Sequence, residues 1–188
     1  MDALLFQAIN GLAGHHPIVD AIFAMISGYG PYMLLGALAL LWFWPGDRPQ
    51  RDQRQRAIII AVLSVAVALL VNQAIIRLWD RPRPFVAHAA TLLLPPSPEP
   101  SFPSDHATFG FAVAIALLFA ARRIGVLTLI FATLLAFSRV YTGEHYVSDV
   151  AAGALIGGGI ACLLTWTQPH LEPVIAPLLR LAHRFHLA

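Results

Sequence analysis

Ala-Ile-Ile-Ile-Ala-Val-Leu-Ser-Val-Ala-Val-Ala-Leu-Leu-Val-Asn-Gln-Ala-Ile-Ile-Arg-Leu, residues 57–78, decides the fold class. As a helix it runs about 33 Å at about 1.5 Å per residue, enough to cross the hydrocarbon of a bilayer. Up to Ile76 its polar members are only Ser64, Asn72 and Gln73. Further apolar runs cover residues 31–44, 107–121, 125–137 and 150–166. These are shorter, so each must draw on its flanks or on a locally thin bilayer to span. Residues 18–27 read as a short sixth span or an interfacial segment. Gly28-Tyr29-Gly30, followed by Pro31, predicts a break or sharp kink after it. Residues 2–12 read as a short interfacial helix. The expectation is an all-α, polytopic membrane helix bundle of five transmembrane helices, in one domain over residues 1–188.

Composition agrees. Of 188 residues, 58% are hydrophobic and 12% charged, about half the charged fraction of a soluble domain. A net charge of +2 is too small to suggest a nucleic-acid partner. The first 14 residues have no basic start, so no cleaved leader is expected. The single cysteine, Cys162, lies in an apolar run and allows no intramolecular disulfide. All 12 Lys and Arg residues are arginines, and their positions orient the bundle. Arg48, Arg51, Arg54, Arg56, Arg122, Arg123, Arg180 and Arg184 fall on one face and mark it as cytoplasmic by the positive-inside bias. Arg77, Arg81, Arg83 and Arg139 fall on the other, with His88, His106, His145 and Asp149. Polar groups at the ends of membrane helices are costly and call for a functional reason.

Three clusters on that face suggest phosphate chemistry. The first is Arg77-Leu-Trp-Asp-Arg81-Pro82-Arg83-Pro84. Guanidinium forks match phosphate oxygens and stay charged, although Arg77 or Arg81 alone reads more simply as an arginine reaching for headgroups. The second is Pro103-Ser104-Asp105-His106. Ser104 is a plausible N-cap, and free N–H groups at a helix start favour an anion beside His106. Asp105 either tunes His106 or favours the helix start. The third is Ser138-Arg139, five residues, His145, three residues, Asp149. His145 and Asp149 share a helical face, so Asp149 is expected to accept from one imidazole nitrogen and leave the other as a lone pair for attack. Arg139 would hold the phosphate under attack, and His106 would protonate the departing oxygen. Taken singly, each cluster also has a bland reading: snorkelling arginines, an ordinary cap, a surface His–Asp pair.

Together these segments resemble the signature of the type 2 phosphatidic-acid phosphatase family: Lys, six residues, Arg-Pro; Pro-Ser-Gly-His; and Ser-Arg, five residues, His, three residues, Asp. The third segment matches at every defined position. Asp105 stands where the second has glycine, and Ile76 stands at the lysine position, with Arg77 beside it as a substitute candidate. Arg83–His88, Ser101–His106, Phe137–Arg139 and the opening Leu5–Leu12 are similar to the bacitracin-resistance branch, the undecaprenyl-diphosphate phosphatases. The resemblance implies a metal-independent phosphatase, without cofactor, acting on a polyprenyl diphosphate at the outer face of a bacterial inner membrane. It implies His145 as nucleophile, Asp149 as its orienter and His106 as general acid. Arg83, Ser104 and Arg139 are implied as phosphate ligands, to which Asp105 and Arg77 are added as candidates.

Other readings keep part of this. The lipid could be phosphatidic acid or phosphatidylglycerol phosphate, or the acceptor could be a second lipid instead of water. An anion carrier would need polar groups along a path, which residues 57–76 and 107–121 do not supply. A zinc site at His106, His145 and Asp149 has suitable ligand types, but the surrounding arginines disfavour a cation. The proline-rich loop of residues 80–102, with Leu92-Leu93-Leu94, reads either as a lid resting in the headgroup layer or as a stiff connector. His88 could line the site or sit in that loop. Glu144 is expected to point away from it. Gly153, Gly157, Gly158 and Gly159 permit close helix packing, within the chain or between subunits.

Overall fold

The computed structural model describes residues 1–184. The described residues form eight helices and no strand: α1 Asp2–Asn10, α2 Pro17–Phe43, α3 Arg48–Leu78, α4 Pro84–Ala87, α5 Asp105–Ala120, α6 Arg122–Tyr141, α7 Val147–Trp166 and α8 Gln168–Arg184. Among them, α2, α3, α6 and α7 are long and apolar enough to cross a membrane, and α5 is a shorter apolar helix. Four helices of spanning length and one shorter apolar helix thus stand where five spans are expected.

α5 sits at the centre, packed on α3, α6 and α7. At 16 residues it is the shortest of the five, but its small side chains let neighbours close in. Ala107, Gly110, Ala112, Ala114 and Ala116 are all buried. An apolar helix without a polar face finds its place inside a bundle. α7 supplies the complementary surface. A Cβ at Gly153 would lie 2.5 Å from the Ser104 carbonyl oxygen, and one at Gly157 would lie 2.1 Å from that of Thr108. Two of the four glycines thus serve packing within the chain. A Cβ at Gly158 would make ordinary contact with Ile115, and Gly159 faces open space. The pairings 104 with 153 and 108 with 157 make α5 and α7 parallel, so both helices begin at the same end of the bundle.

Two expectations change. Residues 18–27 are not a separate span: α2 runs unbroken through Gly28, Gly30 and Pro31. Gly30 is buried against Leu135 of α6, where a Cβ would come within 2.6 Å. Proline at position 31 cannot donate to the carbonyl of residue 27. That freed oxygen lies 3.5 Å from Arg139 Nη1, which also donates to Ser27 Oγ at 2.9 Å. The proline that should have ended a helix instead leaves an acceptor for a buried arginine. Secondly, Arg48, Arg51, Arg54 and Arg56 lie on the first turns of α3, not in a loop. Asp47 caps that helix by accepting from Gln50 N at 2.9 Å, so the connector shrinks to residues 44–47.

At the arginine-rich end, α8 buries Ile175 and Leu179 against Ile60 and Ala61 of α3, Ala116 of α5 and Ala161 of α7. Arg56 pairs with Glu172 across the same junction. At the opposite end, α1 docks through Phe6, packed with Tyr146 and Val150, and through Asn10, which donates to the carbonyls of Thr91 and Tyr141 at 2.8 Å each. The loop after α3 is fastened rather than free. Thr91 N donates to Asn10 Oδ1 at 2.8 Å, Ser101 N to the Arg81 carbonyl at 2.8 Å, and Arg83 Nε to the Glu99 carbonyl at 2.7 Å.

Gly157→Ala is expected to lower stability by about 1–3 kcal/mol, because α5 and α7 must separate to admit the methyl group. Gly159→Ala meets nothing within 4 Å and should be neutral or slightly stabilising. Thermal unfolding of both variants in detergent checks the contrast.

Candidate active site

The three clusters meet at the end of the bundle away from the eight arginines. The turn between α6 and α7 explains much of the alignment. Gly143 has a positive φ of 87°, a conformation that glycine adopts without strain, and a Cβ there would also strike the Thr91 carbonyl at 2.8 Å. The chain then folds back on itself. The amides of Glu144 and His145 both donate to the Arg139 carbonyl, at 3.0 and 3.2 Å. Arg139, Glu144 and His145 are thereby locked together before any side chain is considered.

A cavity of about 110 Å³ opens between the clusters, lined by Arg83, Arg139, His106, His145 and Asp105, with Ile76, Ser97, Glu99, Pro100 and Pro103 completing its wall. Both arginines and both histidines of the sequence reading therefore face one space. His145 is buried, and its Nδ1 lies 2.8 Å from the Ser101 carbonyl oxygen. A carbonyl can only accept, so Nδ1 carries the proton and Nε2 keeps its lone pair. Nε2 lies 3.5 Å from Arg83 Nη1.

The orienter differs from expectation. Asp149 Oδ2 is 3.7 Å from His145 Nδ1, too far for a hydrogen bond. It accepts instead from Ser101 Oγ at 2.5 Å and from Tyr146 N at 2.8 Å, while Oδ1 takes Arg81. Asp149 fixes Ser101, and the Ser101 backbone fixes the imidazole. α7 begins only at Val147, so His145 lies before the helix rather than on one helical face with Asp149, and a distant loop inserts a carbonyl between them.

Arg77 also departs from expectation. It is exposed and makes no hydrogen bond or ion pair among the described residues, whereas Ile76, at the position of the missing lysine, lines the cavity. A residue adjacent on a helix points roughly 100° away, so Arg77 cannot replace it. His88 is exposed and packs edge-on against Tyr146 rather than entering the cavity. Ser104 is the N-cap residue of α5, but its hydroxyl caps nothing: buried Ser104 Oγ has no hydrogen-bond partner. Asp105 reaches the cavity tied to Asn72, which donates at 2.6 Å to its Oδ1 and at 2.9 Å to Thr108 Oγ1. An ionised carboxylate only accepts hydrogen bonds, so Asp105 in that state offers a phosphate oxygen nothing.

Three functional contacts were not anticipated. Arg81 is no snorkelling residue. It pairs with Asp149 and with Asp2 of α1, the latter at 2.6 Å, and its guanidinium lies 4.2 Å above the Tyr146 ring. Ser101 holds both His145 and Asp149. Glu144 turns inward, 1% exposed. Its Oε2 accepts from Arg83 Nη1 at 2.6 Å and from Arg139 Nη2 at 3.4 Å. One signal was available: Glu144 is a charged residue set between a left-handed glycine and the histidine. Among the described residues, no group of three His, Cys, Asp or Glu is placed to hold a metal ion.

Burial lowers the His145 pKa to about 4, and the positive charges of Arg139 and Arg83 push in the same direction. Burial also lowers that of Arg83, against the pull of Glu144. An unfolded histidine titrates near 6.5, so between about pH 4 and 6.5 the unfolded chain binds more protons at this residue. The contribution of His145 to stability is complete above pH 6.5 and is lost as pH falls toward 4. Melting temperatures of the wild type should drop across that window, and His145→Gln should flatten part of the fall.

Comparison with known proteins fits this geometry. The PAP2 superfamily profile matches residues 57–172, from just after the arginine-rich turns of α3 to the start of α8. Undecaprenyl-diphosphatase BcrC of Bacillus subtilis is 34% identical over 181 residues, covering 96% of this chain and 91% of that protein. Putative undecaprenyl-diphosphatase YbjG of Escherichia coli is 38% identical over 160 residues, covering 85% and 78%. Among solved structures, Aquifex aeolicus LpxE superposes with a TM-score of 0.67 at 25% identity, covering 86% of this chain and 93% of that one. A PAP2-type phosphatidylglycerolphosphate phosphatase from Bacillus subtilis shares the fold, with a TM-score of 0.67 at 21% identity. A multi-pass bundle with this arginine and histidine cavity is therefore a membrane phosphatase, and the chain belongs to the PAP2 superfamily.

Proposed function

We propose that this protein hydrolyses undecaprenyl diphosphate to undecaprenyl phosphate and inorganic phosphate through a phosphohistidine. The observation that carries the reading is the 2.8 Å contact between His145 Nδ1 and the Ser101 carbonyl oxygen, which assigns the proton to Nδ1 and leaves the Nε2 lone pair in a cavity shared with two guanidiniums. In the first step Nε2 attacks the terminal phosphorus. A P–N bond forms, the anhydride P–O bond breaks, and the departing lipid phosphate takes a proton from His106. In the second step His106 removes a proton from water, whose oxygen attacks the phosphohistidine. The P–N bond breaks, phosphate leaves and His145 is restored. Arg83 and Arg139 neutralise the phosphoryl oxygens through both steps. Ser104 Oγ and Arg139 Nε, both buried and without partners, are further donors to them.

The substrate rests on the names of the two relatives above and on the branch-like sequence Ser101–His106. A bacterial inner-membrane location, with the site facing the periplasm or exterior, rests on the charge pattern. The cavity lies at the end opposite Arg48, Arg51, Arg54, Arg56, Arg122 and Arg123, and arginine-rich ends favour the cytoplasm. Such a placement suits recycling of the carrier lipid used in wall synthesis. Lipid A 1-phosphatase of Rhizobium etli, 30% identical over 191 residues, keeps other lipid phosphates as the second substrate class.

Phosphate release from undecaprenyl diphosphate in detergent with excess chelator should proceed at an unchanged rate. His145→Ala should fall by about a thousandfold or more, a size common when a nucleophile is removed. Rates on phosphatidic acid and phosphatidylglycerol phosphate should be lower than on the diphosphate. Loss of activity on chelation, or its retention by His145→Ala, overturns the mechanism. A preference for a monophosphate overturns the substrate.

A further inference from the structure

Glu144 is a buried charged group beside the site for which the two-histidine mechanism has no use. It lies in the interior with an ion pair to each phosphate-binding arginine, and its second oxygen, Oε1, is buried without a partner. The backbone adds to the grip, since Arg83 Nη1 also donates to the Glu144 carbonyl at 3.1 Å. Two guanidiniums side by side in a low-dielectric interior repel each other and need a counter-charge. A carboxylate oxygen and a phosphoryl oxygen place the same demand on an arginine fork: both accept through a partial negative charge.

We propose that Glu144 is a built-in counter-anion that holds Arg83 and Arg139 as a pair and tempers their grip on phosphate. This rests on the phosphatase reading above and adds a residue to it. When substrate enters, its phosphoryl oxygens share the two guanidiniums with the carboxylate. After hydrolysis the same carboxylate competes with inorganic phosphate and speeds its departure. Glu144 is accordingly a positioning residue, acting through the arginines and not on the reacting atoms. Without its charge the arginines would bind tetrahedral oxyanions more tightly, while the empty site would be less stable.

The test compares wild type with Glu144→Gln, Glu144→Ala and Glu144→Asp as purified full-length proteins in detergent. The probes are inorganic phosphate and orthovanadate. Glu144→Gln and Glu144→Ala should be inhibited by either anion at concentrations about tenfold lower than wild type, because a like charge next to the bound anion is gone. Their melting temperatures should be lower in anion-free buffer and should be restored by phosphate or vanadate, which replaces the carboxylate. Their kcat and their KM should both fall, since the oxyanion is held more tightly and product leaves more slowly. Glu144→Asp keeps the charge and should stay near wild type in anion affinity. A purely structural role predicts instead weaker anion binding and no rescue by anion. Unchanged or weaker inhibition in the neutral variants overturns the proposal, as does their failure to fold both with and without phosphate. A wild type that releases no phosphate from any lipid phosphate overturns the functional reading instead, and leaves the anion-affinity comparison to decide the role of Glu144.

Discussion

Two guanidiniums buried side by side set the terms for the rest of this structure. Arg83 and Arg139 are each only 6% exposed, at the end of a bundle made otherwise for lipid. Burying a charge costs several kcal/mol unless it is paired and hydrogen-bonded. Every neighbouring element contributes to that requirement. α2 supplies the Ser27 hydroxyl, the α6–α7 turn supplies Glu144, and the loop before α5 supplies the Glu99 carbonyl. The helices are arranged so that acceptors from distant parts of the chain arrive where the arginines are.

The same logic separates two layers of charge. The inner layer contains Arg83, Arg139 and Glu144 beside the cavity. The outer one contains Asp149, Arg81 and Asp2, where Arg81 joins the first helix to the seventh. Ser101 lies at the boundary, giving its carbonyl to His145 and its hydroxyl to Asp149. The imidazole tautomer is thus maintained by a loop, which the outer layer keeps in place. Small residues make the whole arrangement possible at the backbone level. Gly153 and Gly157 let α7 approach α5 closely enough for their beginnings to share one site.

Much of this was legible in the chain. Hydrophobic run lengths determined the membrane bundle and its five apolar helices, because a bilayer imposes a length and forbids unpaired backbone. Alternation of arginine-rich and histidine-bearing connections put the three clusters on one face, because each span reverses the side of the chain. Residues 138–149 carried their chemistry in their residue types and order, although His145 lies in the turn before α7 and not on a helical face with Asp149. Arg83, His106, Arg139 and His145 followed from those local rules, and all four face the cavity.

Only the tertiary structure decided the partners. That Pro31 would leave an acceptor for Arg139 rather than break α2 depends on α6 passing alongside. That Asp149 would hold Ser101 rather than His145 depends on where a proline-rich loop returns. Ile76 rather than Arg77 faces the cavity because of how α3 is rotated against α5, and a sequence contains no such angle. Glu144 turned inward because two cations from distant parts of the chain, Arg83 before α4 and Arg139 on α6, met there. Local periodicity determines which residues share a face, whereas a buried charge is satisfied by whatever the fold brings within about 3 Å of it, and that distance spans more than a hundred residues of chain between Ser27 and Arg139.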